Sequence, residues 1–170
     1  MKRVKYEEGT WFALPVGEGG FAAGVIARSS RTSRGILFGY FFPHVYKSAP
    51  DIGELCKLRP SDAIATIRFG DMGLIREEWT VIGKCESWKR EEWAIPAFLR
   101  TEPITSRAYE VHYDPDDPAK RIGERLLHDG DARPRERPGL FGDQAVERYV
   151  SHLLGFEVPP LDLDQHAGKK

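Results

Sequence analysis

Glu8-Gly-Thr-Trp-Phe-Ala-Leu-Pro-Val-Gly-Glu-Gly-Gly-Phe-Ala-Ala-Gly-Val-Ile-Ala-Arg28 reads as a β-hairpin. Side chains of an extended strand alternate between its faces, so Thr10, Phe12 and Leu14 project one way and Trp11, Ala13 and Pro15 the other. Gly17, Gly19 and Gly20 supply the reversal, and Phe21 to Ala27 returns as a second strand of small and β-branched residues. This hairpin is the best-defined local fold signal, and the rest of the chain is expected to be organised around it.

Downstream, Gly35 to Tyr46 carries five aromatic residues and reads as a third strand, with Gly39 marking a bulge or bend and Pro43 ending its regular part. Ser61 to Phe69 alternates with Ala63, Ala65, Ile67 and Phe69 on one side, which predicts a fourth strand, and Glu77 to Lys84 predicts a fifth. Gly70 to Gly73 between them is turn chemistry. Ser87 to Phe98 has Trp88, Trp93, Ile95 and Phe98 without a period and reads as an apolar strap. Ala108 to Asp114 is the last clear strand, with Tyr109, Val111 and Tyr113 inward. Residues 115–138 are highly charged and read as a mobile loop, with one short amphipathic turn at Ile122, Leu126 and Leu127. Asp143 is placed to cap a helix over 143–154, whose stripe is Ala145, Val146, Tyr149, Val150, Leu153 and Leu154. Residues 157–170 read as an extended tail. The expectation is an α+β, β-rich fold: residues 1–156 form one domain, a strongly twisted antiparallel sheet or partly open barrel of about six strands with a C-terminal helix.

With 170 residues, 41% of them hydrophobic, the chain can bury one core without help from disulfides or metals. Its formal charge of −1 provides no whole-chain field toward nucleic acid or an anionic membrane. Met1-Lys2-Arg3-Val4-Lys5 is followed by Glu7 and Glu8 where an export signal would need its apolar stretch, so a cytoplasmic location is expected. No apolar run approaches the roughly 20 residues of a membrane-spanning helix. Cys56 and Cys85 can form at most one bridge; without an export signal they read as free thiols.

Glu110, His112 and Asp114 lie two apart and so project from one strand face, an arrangement of carboxylate and imidazole that could hold a divalent metal and activate its bound water. His44 is a possible further ligand from another strand. The competing reading is that an amphipathic strand simply needs a polar outer face. For partner contacts, Arg28, Arg31 and Arg34 sit in a stretch with no acid between Gly19 and Pro50 and form a basic candidate patch, while Asp114, Asp116 and Asp117 form an acidic one. No nucleophile elbow, phosphate loop or dinucleotide fingerprint is present; the glycine-rich Gly17 to Gly24 joins two strands, so it is a hairpin turn.

The pattern of Gly9, the apolar residues running into Pro15, the glycine turn, Phe21 and Gly24-Val-Ile26 resembles the opening of the immunity protein 26 family. Phe38-Gly-Tyr-Phe-Phe42, Gly73-Leu-Ile75, Trp79-Thr-Val-Ile-Gly83, Pro96-Ala-Phe98 and the strand around Tyr109 are consistent with it, so the resemblance covers roughly residues 6 to 114. It implies a cytoplasmic antidote of a bacterial polymorphic toxin system that binds and neutralises a cognate toxin domain, with no cofactor. A branch of that family carries a phosphotriesterase name, which implies a second reading as a metal-dependent organophosphate hydrolase. The family's motif carries no catalytic residue onto this sequence. A third reading, a nucleic-acid-binding β-barrel module using the Arg28 to Arg34 stretch, runs against the near-neutral charge.

Overall fold

The structure, a computed structural model, describes residues 5–159. Its hairpin is where the sequence puts it: β1 (Thr10–Val16) pairs antiparallel with β2 (Gly20–Ser29), with Phe12 opposite Gly24 and Ala13 opposite Ala23. The meander continues into β3 (Ile36–Phe41) and β4 (Ala65–Gly70), and β5 (Thr80–Lys84) returns to the free side of β1. A two-residue β9 (Leu140–Phe141) adds parallel to β4, giving a six-stranded mixed sheet in the order β5-β1-β2-β3-β4-β9. Three further strands, β6 (Phe98–Thr101), β7 (Ala108–Asp114) and β8 (Asp117–Leu126), form a separate antiparallel sheet. The fold is α+β and β-rich, and neither sheet closes into a barrel.

Both faces of the hairpin are covered. Phe12, Leu14 and Val16 join Ile26, Phe41, Phe69 and Trp79 beneath α3 (Asp143–Leu153), whose Val146 and Val150 are fully buried. Trp11, Ala23 and Val25 face the other way, against Trp93 and the second sheet's Phe98 and Val111. Phe12 stacks on Trp79 with ring centroids 5.3 Å apart, and Trp11 meets Trp93 edge to face at 5.8 Å. The aromatic residues therefore fill two cores, one on each side of the large sheet. Short helices α1 (Ile52–Leu55) and α2 (Met72–Ile75) occupy connections.

Several expectations need correction. Residues 117–126 are a ten-residue strand rather than a loop, because β8 is held by backbone pairing to β7 and by ion pairs such as Arg100 with Glu124, not by apolar alternation. Asp143 is the first residue of α3 and Gly142 its N-cap; the Asp143 carboxylate instead lies 3.6 Å from Arg76. β3 ends at Phe41, and Tyr46 makes only an isolated bridge to Phe21. Cys56 and Cys85 are not free thiols: they form a disulfide, Cα to Cα 5.7 Å, because α1 carries Cys56 alongside the end of β5. Of the expected tail 157–170, residues 160–170 lie outside the described residues.

Candidate functional site

Ala132-Arg-Pro-Arg-Glu-Arg-Pro138 crosses between the two sheets as an irregular strap that bends at Arg135 and Glu136. Its side chains alternate in exposure: Arg133, Arg135 and Arg137 are exposed, whereas Pro134 and Pro138 are half-buried and Glu136 is buried. Proline disfavours helix in the residue before it and offers no N–H, which suits a segment outside any ladder. Anchors come from both sheets. The Leu99 amide of β6 donates to the Glu136 carbonyl at 2.7 Å, and Arg68 of β4 donates through Nη1 to the Pro138 carbonyl at 2.6 Å. The Glu136 carboxylate accepts from the Tyr149 hydroxyl of α3 at 2.8 Å and from the Thr66 amide on the edge of β4. Burial holds the Glu136 carboxyl above the usual carboxylate range, partly offset by the Tyr149 hydroxyl. Burial and the adjacent Glu136 raise the Tyr149 phenol in turn.

Beside the strap lies an open cavity of about 460 Å³. Tyr40, Pro60, Ala63, Ala65, Pro96 and Ala97 give it an apolar lining; Glu110, Arg133, Arg135 and Glu136 give it a polar side. Glu110 is already committed, its Oε1 hydrogen-bonded to His112 Nε2 at 2.6 Å and its Oε2 lying 3.5 Å from Arg125. Among the described residues, neither Arg133 nor Arg135 has a carboxylate within salt-bridge distance, although Arg90, Arg100, Arg121 and Arg125 all do.

The residues singled out from sequence are placed differently from one another. Arg28 is buried at 4% exposure inside β2, with Nε on the Pro115 carbonyl at 2.8 Å and Nη1 on the Ala27 carbonyl at 2.7 Å and the Trp93 carbonyl at 3.1 Å. Burial and the neighbouring Arg90 lower its pKa. Its guanidinium is used inside the fold, so only Arg31 and Arg34 of the basic stretch reach the surface. Asp117 is also buried, accepting from Thr32 at 2.7 Å and from the Ala119 amide at 3.0 Å. Asp116 pairs with Arg90 at 2.6 Å, and that hydrogen bond pulls its carboxyl below the usual range. Asp114 accepts from the Asp116 amide at 2.8 Å and lies 3.9 Å from Lys120. The basic and acidic stretches thus meet each other through Thr32 and Asp117. His44 lies against Tyr46, and among the described residues no group of three His, Cys, Asp and Glu side chains is placed to hold a metal ion.

Sequence reasoning passed over Arg133, Arg135 and Glu136. The signal available was the alternation of Arg133, Arg135 and Arg137 with Pro134, Glu136 and Pro138, which marks a segment with one charged face. Among known families, the sequence model of immunity protein 26 matches residues 7–110. The chain belongs to the immunity protein 26 family. No curated protein and no solved structure matches it. The immunity protein 26 match takes in β1 to β6 and the first half of β7, and with them Tyr40, Ala63, Ala65 and Pro96 of the cavity. β8, the strap and α3 lie beyond it, so most of the cavity lining belongs to the matched region and residues 132–136 of the strap supply the rest. No helix among the described residues is long and apolar enough to cross a membrane.

Proposed function

We propose that this chain is an immunity protein that neutralises a cognate toxin domain in the bacterial cytoplasm by covering it through protein–protein contact, without a cofactor. Membership of the immunity protein 26 family carries the reading. The fold suits the role physically: two buried aromatic cores support the domain from within, leaving its charged exterior available for steering and for a specific contact. Co-expression in a bacterial host with the toxin domains encoded beside this chain's gene tests it. The expected result is restored growth together with a stoichiometric complex on size-exclusion chromatography. Absence of a complex with every such toxin would sink the reading.

A further inference from the structure

We propose that the groove beside the 133–137 strap is the surface that receives the toxin, and that its occupant is an extended acidic segment of that protein. The segment sets carboxylates at alternate positions over Arg133 and Arg135 and an apolar side chain against Tyr40, Ala63 and Pro96. This rests on the immunity reading above and adds to it where the partner sits and what chemistry it presents.

The charge argument is local. Arg133 and Arg135 are exposed beside the cavity, and among the described residues neither has a carboxylate within salt-bridge distance; Glu110 is engaged with His112 and Arg125, and Glu136, whose carboxylate also feels the charge of Arg135, accepts from Tyr149 and Thr66. In the 28–34 stretch Arg28 is buried, Asp117 accepts from Thr32, and the charge of Asp116 reaches Arg31. Geometry then selects an extended ligand. Arg133 and Arg135 are two residues apart, a separation of at most roughly 7 Å, which alternate side chains of an extended partner segment can match. A guanidinium facing a carboxylate at each repeat makes charge-assisted hydrogen bonds and fixes register. The cavity of about 460 Å³ is large enough for an apolar side chain and is lined by side chains that gain from its burial.

Recognition here runs through side chains rather than strand addition. Among the described residues no strand pairs with the outer edge of β4 beside Ala65 to Ile67, since β9 pairs only with Arg68 and Phe69, but the Glu136 carboxylate takes the Thr66 amide there. The strap is fixed at Leu99 and Arg68 before any partner arrives, which limits the ordering entropy lost on binding. Because Arg133 and Arg135 lie beyond the family match, this part of the contact is supplied by residues outside the matched scaffold.

The test uses the full chain and the toxin domain encoded beside its gene as the probe, with affinity read by calorimetry. The double variant Arg133→Glu with Arg135→Glu should bind about 100-fold more weakly and lose most of the salt dependence of association. Ala63→Trp, which fills the cavity, should weaken binding about tenfold or more. Near-ultraviolet circular dichroism and the melting temperature should be unchanged in the arginine variant, since both side chains are exposed. Wild-type affinity in both variants would overturn this surface while leaving the immunity reading standing. Failure of the wild-type chain to bind any such toxin would overturn both.

Discussion

Arg68 Nε donates to the carbonyl of Pro118 across 2.6 Å, joining β4 of the six-stranded sheet to the first residues of β8 in the other. The same guanidinium reaches Pro138 and lies 4.0 Å from the centre of the Tyr113 ring. Arg28, two strands away, does the equivalent for Pro115. The Pro-Asp-Asp-Pro turn between β7 and β8 is therefore clamped at each proline by a buried arginine. Buried carbonyls need donors, and these two side chains bring several N–H groups to the junction where no ladder can form.

Arg68→Ala is expected to cost about 3 kcal/mol, since it leaves the buried Pro118 carbonyl without its donor, leaves Pro138 with only the longer Tyr113 hydroxyl contact, and removes the packing on Tyr113. Arg68→Lys should recover less than half of that, because one ammonium cannot span both carbonyls and lie flat on the ring. Urea denaturation measures the loss, and hydrogen exchange should show β7 and β8 losing protection before β1 and β2. Equal stability of the lysine variant and wild type would refute the bidentate role.

Gly39 tests the packing of the hairpin. A Cβ there would come 2.6 Å from the Val25 carbonyl oxygen and 3.0 Å from the Phe69 ring, and the backbone atom cannot yield. Gly39→Ala should destabilise by about 2 to 3 kcal/mol. Gly123 in β8 is the control, since a Cβ there meets nothing within 4 Å; Gly123→Ala should be neutral or slightly stabilising. Paired denaturation curves showing the two variants alike would contradict the contact.

Gly39 also shows what could be read in advance. A glycine inside an aromatic run marks a place where two backbones approach, and the register does shift between Ile26 and Arg28 on the strand opposite it. The hairpin was equally open to reading because its alternation and its turn are local. β8 was not: Lys120, Arg121, Glu124 and Arg125 carry no apolar period, and their partners come from other strands or from the strand's own far side. Arg28 looks like one more member of a basic loop until β2 is seen to run through it, and the Cys56 to Cys85 pairing depends on where α1 lands. The strap's alternation was visible in sequence, but the meaning of Glu136 needed Tyr149 from a later helix and Thr66 from a distant strand.

The disulfide makes stability depend on redox state. Its cysteines are 29 residues apart, and closing a loop of that length restricts the unfolded chain by roughly 3 to 4 kcal/mol at 25 °C. Reduction, or the double variant Cys56→Ser with Cys85→Ser, should lower the urea midpoint accordingly, with the two treatments agreeing. Thiol titration of unreduced protein should find none. Two reactive thiols per chain under denaturing, unreduced conditions would show that the bridge does not form.

Glu136 predicts the pH dependence of the strap. Burial holds its carboxyl above the ordinary value of about 4.3. Between that value and the folded-state one, the native protein keeps a proton that the unfolded chain has released. Stability must therefore fall as pH rises through this window and level off above it. Glu147, also raised by burial, adds a slope of the same sign, so the informative quantity is the difference between wild type and Glu136→Gln. Glutamine cannot ionise yet still offers an oxygen to the Tyr149 hydroxyl. The two proteins should be equally stable near pH 4, and the variant should become the more stable one as pH rises to 7. Tyr149→Phe removes the hydroxyl that favours the carboxylate, so it should extend the falling limb to higher pH. If urea titrations across this range show the glutamine variant less stable at pH 7, the ionised carboxylate is a net stabiliser, and its pKa in the folded protein lies below the ordinary value rather than above it.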